Sequence, residues 1–170
     1  FGILTAGSLA AADIQALFLY SDDTLLRTGP YSFEGGKTLN LTVGIGSAAF
    51  RHPSDPPNVI WTLGDRGANI ACSEMKEIAG VELAACKDVR NGRVYPTPSY
   101  SPSIYRVMLT DERTFRVTNV ITLKDRDGQP MSGLLNPLKT AATDTAMDGR
   151  GKPLPYDLNG IDAEAIVRLS

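Results

Sequence analysis

The sequence predicts an all-β fold built from repeated short β units, the arrangement found in β-propellers. Three observations predict it. The 16 glycines and 11 prolines fall in clusters between short apolar runs, which is the punctuation of many short strands rather than long helices. Two β-like runs, residues 103–110 and 114–124, are separated only by Asp111-Glu112-Arg113, a hairpin connection. The pattern Gly-Ile-x-small-x-Ala-apolar occurs twice, at residues 44–50 and 160–166. Repetition of a small β unit along the chain is the mark of a radial architecture.

The elements follow in order. FGILTAGSLAAAD at the start reads either as an ordinary first strand or arm, or as the end of a secretory signal without its basic region. Residues 14–21 (IQALFLYS) are a strand candidate closed by Ser-Asp-Asp. Residues 31–34 run into the Gly35-Gly36 break, and residues 38–43 (TLNLTV) alternate as a strand with one wet face. A short strand over 48–51 leads through the turn HPSDPPN into VIWTL, residues 59–63. Residues 73–85 are the only helix-like piece, with apolar positions only partly at helical spacing. Residues 93–102 hold three prolines and read as loop or edge. After the hairpin, Asp125-Arg126-Asp127-Gly128 is a turn, and residues 133–156 read as one long polar loop. Residues 160–166 are expected to be the opening strand of a further unit, with Ile161, Ala163, Ala165 and Val167 on one face.

Composition narrows the function. The chain has 170 residues, enough for one domain with a real core, and a net charge of -2. That balance leaves no basic footprint for nucleic acid. No apolar run approaches the roughly 20 residues of a membrane span. Cys72 and Cys86 flank one loop with neither a Cys-x-x-Cys motif nor a histidine beside them. Zinc is therefore disfavoured, and a disulfide in an oxidising compartment is expected.

The chemistry-bearing residues are carboxylates. His52 is the only histidine and sits in a proline-rich turn, and no Gly-x-Ser-x-Gly elbow accompanies it. A serine-hydrolase triad is thus poorly supported. Asp65 and Arg66 follow an apolar strand, at a strand end where ligands are commonly met. A carboxylate beside a guanidinium can hold a cation and an oxyanion respectively. Asp157, Asn159, Asp162 and Glu164 form a second group of hard oxygen ligands, the kind that suits Ca2+. It is not an EF-hand loop, because the twelfth position counted from Asp157 is Arg168. Two residues apart on a strand, Asp162 and Glu164 would share a face. Asp65-Arg66 as a turn cap with a surface ion pair, and Asp162 and Glu164 as a solvent-facing pair, are the alternatives.

GIGSAAFR…NVIWTLGDRGAN, GRVYPTPSYSPSIYRVML, VTNVITLKDRDGQPMSGLLNP and YDLNGIDAEAIVRL together resemble the phytase-like esterase family, the domain named for the esterase-like activity of phytase. The similarity runs in register from about Gly44 to the end. It implies an incomplete β-propeller, about two to three blades of a larger one. Residues 1–30 would be an N-terminal strand or arm and residues 31–170 blades, with the remainder of the propeller in another chain or in further sequence. It also implies a periplasmic or secreted bacterial protein. The implied function is metal-assisted hydrolysis of a phosphate or carboxylic ester of small-molecule size. Asp65, Arg66 and Glu164 are then the catalytic candidates, with Arg66 neutralising the developing oxyanion. Asp157, Asn159 and Asp162 are the candidate Ca2+ ligands. The alternative is a non-catalytic propeller that binds a ligand or partner protein at its rim.

Overall fold

The computed structural model describes residues 19–20, 25–111, 113–138 and 144–169. The expectations for the N-terminal arm, including the possible signal remnant, lie outside them, as does most of the 14–21 candidate. Strands make up 32% of the structure and helices 8%, in three small open sheets, so the fold is all-β.

In chain order the strands are β1 (Leu19–Tyr20), β2 (Tyr31–Ser32), β3 (Thr38–Leu39), β4 (Ala48–Phe50), β5 (Val59–Leu63), β6 (Ile70–Ala71), β7 (Gly92–Tyr95), β8 (Ser103–Leu109), β9 (Thr114–Thr122) and β10 (Thr145–Asp148). The largest sheet has the order β1-β9-β8-β5-β4, with β1 parallel to β9 and the other pairs antiparallel. β8 alternates as its sequence requires: Ser103, Tyr105 and Val107 point inward. Its pairing with β9 shifts between Arg106 and Val107. Thr118 fills the resulting bulge, accepting from Arg106 Nη1 at 2.9 Å and donating to the Arg106 carbonyl at 3.1 Å. Leu26, Val43, Tyr105, Val107 and Val117 form the core on this sheet.

The second sheet has the order β10-β7-β6, with β10 parallel to β7. Two expectations are corrected here. Residues 92–95 are not loop or edge but the central strand of this sheet, with Val94 and Tyr95 almost fully buried. The long loop expected over 133–156 contains β10, whose Ala146 and Met147 are core. The parallel partner of β10 lies some fifty residues upstream, so no local hairpin signal marks it. Phe33, Ile70, Met75, Ala79, Val94 and Met147 form a second core. The helical candidate is shorter than its spacing suggested. A single α-helix, α1 (Met75–Ala79), ends at Gly80 in the left-handed region (φ 73), with 3-10 turns at Cys72–Glu74 and Ala84–Cys86. The expected disulfide is present: Cys72 and Cys86 are bonded, their Cα atoms 5.3 Å apart.

The expected strand over 160–166 is also corrected: among the described residues, 161–169 join no ladder. Gly160 makes an isolated parallel bridge to Ser132. Ile161 N–H donates to the Ser132 carbonyl at 2.9 Å, and beyond it no described strand runs alongside the segment. Of its apolar face only Ala163 is buried, while Val167 and Leu169 are exposed. Arg168 reaches Asp55 at 3.1 Å, which ties the segment to the β4–β5 turn.

DRDGQP and DGRGKP prove to be one turn used twice. Asp125 Oδ1 accepts the N–H groups of Asp127 and Gln129 at 2.9 and 2.8 Å, and Asp148 Oδ1 accepts those of Arg150 and Lys152, both at 2.9 Å. The glycines at the fourth position, Gly128 and Gly151, both have φ 81, and the prolines bridge back to Lys124 and Met147.

Candidate functional site

Arg66 leaves the end of β5 two residues after Gly64, whose N–H bonds the Ser103 carbonyl at 3.1 Å. Its guanidinium meets Asp162 Oδ2 at 2.7 Å and Asp144 Oδ2 at 3.8 Å. The Arg66 side chain is 18% exposed and that of Asp162 40%, so the pair sits at the lip of a depression rather than on open surface. That depression is a cleft of ≈ 390 Å³ lined by Arg66, Leu134, Asn136, Leu138, Ile161 and Asp162. Its size is within the range of small-molecule sites.

Close backbone contacts build the walls. A Cβ on Gly133 would run into the Arg66 carbonyl, and one on Gly160 into that of Leu134. Only glycine lets these three segments touch. Asn136 clamps them further: its Nδ2 donates to the carbonyls of Leu158 and Gly160 at 2.9 and 3.2 Å. Ser132 Oγ donates to Asp157 Oδ2 at 2.7 Å, and Ser132 N–H to the Asn159 carbonyl at 3.0 Å.

Behind Arg66 stands Tyr95, at the end of β7 and 2% exposed. Its hydroxyl makes no hydrogen bond of good geometry. Burial raises its pKa, and the neighbouring Arg66 guanidinium pulls it partly back. On the other side, Gly67 (φ 78) lies flat against the Tyr100 ring. Tyr100 and Tyr105 share a 3.3 Å hydroxyl contact, and burial drives the pKa of each upward, that of Tyr100 most.

The candidates named from sequence are distributed as follows. Arg66 and Asp162 come together. Asp65 turns away from the cleft: its Oδ1 accepts Gly67 N–H at 3.3 Å and its charge bears on Tyr100. Glu164 is exposed two residues beyond Asp162. The proposed Ca2+ ligands each face a different partner. Asp157 accepts Asn159 N–H and Ser132 Oγ–H, Asn159 Nδ2 donates to Asp125 Oδ2 at 3.1 Å, and Asp162 holds Arg66. Ca2+ takes six to eight oxygens at about 2.3–2.6 Å. Asp157 and Asp162 are engaged by separate donors and Asn159 turns its amide N–H to Asp125, so the three present no shared set of oxygens and do not fit it. Among the described residues no three His, Cys, Asp or Glu side chains converge as a metal cage. His52 Nδ1 lies 2.6 Å from Ser54 Oγ, folded back on its own turn.

Tyr95, Asp144 and the 132–138 wall were not anticipated as site residues. The sequence carried one usable signal for the wall, the glycine of MSGLLNP. Nothing local marks Asp144 or Tyr95, because the parallel β7–β10 pairing brings their segments together. Among the described residues no helix is long and apolar enough to cross a membrane. Comparison with protein-family models, with curated proteins and with solved structures finds no match.

Proposed function

We propose that this protein is an exported, phytase-like β-propeller that hydrolyses phosphate or carboxylic esters at the Arg66 cleft. One observation carries the reading. The three segments LGDRG, MSGLLNP and NGIDAEAI, distant in sequence, meet at one residue, Arg66: Gly133 lies against its carbonyl and Asp162 grips its guanidinium at 2.7 Å. A concave cleft of small-molecule size, where a few polar groups converge on apolar walls, is where a site is sought first. In this reading Arg66 stabilises the negative charge that develops on the ester oxygen. Asp162 fixes the guanidinium through Oδ2, and its Oδ1 takes a proton from the attacking water. The water oxygen bonds to the ester centre, the bond to the leaving alcohol breaks, and Asp162 returns the proton to that alcohol. The disulfide supports export, since such bonds persist in oxidising compartments.

Arg66→Ala and Arg66→Lys test the reading against p-nitrophenyl phosphate and p-nitrophenyl butyrate. Whichever ester the intact protein cleaves, Arg66→Ala should lose on the order of 100-fold in kcat, with partial recovery in Arg66→Lys. An undiminished rate in Arg66→Ala, with folding verified by thermal melting, removes the site. The turn-bound Asp65 and exposed Glu164 favour a second reading, a ligand-binding protein without turnover. Ligand binding at the cleft with no hydrolysis of either ester would select it.

A further inference from the structure

We infer that the cleft takes an uncharged carboxylic ester with an apolar acyl group, and not a phosphate ester; this rests on the hydrolase reading above. The argument is one of charge and donors. A phosphate or polyphosphate site needs surplus positive charge and several free hydrogen-bond donors. Among the described residues the lining holds one cation, Arg66, and one anion, Asp162. A second carboxylate, Asp144, stands 3.8 Å behind the same guanidinium. The nearest further cation around Tyr95, Arg93, is turned to Asn69 at 3.0 Å and lines a neighbouring pocket instead. The one amide in the lining, Asn136, spends its Nδ2 on two carbonyls, and its Oδ1 accepts Leu138 N–H at 2.8 Å. A dianionic phosphate entering this cleft would meet a guanidinium already neutralised and two carboxylates opposing it.

What the cleft does offer is apolar surface: Leu134, Ile161 and Leu138, the last 81% exposed and free to lie against a ligand. A neutral ester burying its acyl chain there gains hydrophobic contact without disturbing the Arg66–Asp162 pair. Its carbonyl oxygen becomes negative only in the transition state, when the guanidinium beside it is worth most. The pair therefore discriminates against a charged ground state and for a charged transition state.

The test compares p-nitrophenyl butyrate, p-nitrophenyl phosphate and inositol hexakisphosphate on the intact protein and on Leu138→Asp. Leu138 is exposed, so the variant folds as the parent does. The expected result is butyrate hydrolysis at least tenfold above either phosphate in kcat/KM. Leu138→Asp should raise KM for the butyrate at least threefold with kcat nearly unchanged. Preference for a phosphate, or an unmoved KM in Leu138→Asp, overturns the ligand class and leaves the hydrolase reading standing. Saturation-transfer NMR with p-nitrophenyl butyrate separates the remaining cases. Leu138-dependent binding without turnover of any ester keeps the ligand class and removes the hydrolase. Neither binding nor turnover removes both.

Discussion

Removing the Cys72–Cys86 bond is the perturbation whose magnitude follows most directly from the structure. The bond closes a loop with a sequence separation of 14, which begins and ends in the two 3-10 turns and contains α1 between them. Closing a loop of about 15 residues removes roughly 3 kcal/mol of conformational entropy from the unfolded chain at 25 °C. The native anchors are firm. Cys72 follows β6 directly and packs against the backbone of Gly92, where a Cβ would meet its Sγ at 2.5 Å, and Cys86 Sγ lies 3.9 Å from Met147 Sδ. Little of the entropic gain is therefore lost to slack in the folded state. The Cys72→Ala/Cys86→Ala protein should lose about 3 kcal/mol in urea unfolding. At this chain length that corresponds to a Tm lower by about 6–12 °C. Reducing the parent should give a similar shift, which separates the covalent tie from the lost sulfur packing. A double variant destabilised by less than about 1 kcal/mol would refute the reasoning, since the loop would then be held by its apolar contacts alone.

Other consequences can be checked alongside. Gly133→Ala puts a methyl into the Arg66 carbonyl, a backbone group that cannot yield cheaply; the expected cost is about 1–3 kcal/mol by urea titration, with ester turnover falling further than stability explains. Tyr100 and Tyr105 both have pKa values raised above 10.0 by burial. In the folded state they keep their protons while the unfolded tyrosines ionise. Stability present below pH 10 should thus fall as pH rises beyond it, by up to about 1.4 kcal/mol per pH unit per tyrosine. Chemical unfolding of Tyr100→Phe between pH 9 and 11 should show a shallower decline than the parent, and an equal slope would exclude burial as the cause. Asp125→Ala and Asp148→Ala each remove the acceptor of two exposed backbone N–H groups and should each cost about 0.5–1.5 kcal/mol in thermal unfolding, because water can take the N–H groups. Asp125→Ala should cost more than Asp148→Ala, since Asp125 also accepts from Asn159; equal costs would show that this extra bond contributes nothing.

The parts of the fold legible in the sequence were those whose partners are sequence neighbours. VIWTL and the 103–122 hairpin are bounded by turn residues, and each has an antiparallel partner next to it in chain order, β4 for VIWTL and β8 with β9 in the hairpin; the β5–β8 pairing, some forty residues apart, carried no such signal. β7 was hidden because Pro96, Pro98 and Pro102 made residues 93–102 read as one unit, although the prolines begin only after the strand ends. β10, a four-residue TAMD between a polar segment and a glycine turn, has little β character of its own. Its strand state comes from Gly92–Tyr95 alongside. The alternation after Gly160 misled in the opposite direction. A period of two describes which face a strand would bury, not whether an edge is there to receive it. In the site, Arg66 and Asp162 were visible as residue types, but their pairing depends on Gly133 and Gly160 admitting the backbones to contact, which residue type alone does not reveal.

The doubled DxxGxP turn bears on how the chain finds its fold. Each turn closes its hydrogen bonds within six residues, around its own aspartate. Such contacts have almost no loop-closure cost and can form on the hairpin timescale of microseconds. The β7–β10 pairing instead joins segments some fifty residues apart and belongs to the slow, high-contact-order part of the search. One turn reverses the chain after β9, inside the β7–β10 span, and the other closes immediately after β10, outside it. The first would act as a pre-set corner that shortens the effective chain before β10 must locate β7, and the second would fix the end of β10 itself. The cleft, whose 132–138 wall hangs from the first corner and whose Arg66 is backed by Asp144 just ahead of β10, would then be among the last features to assemble.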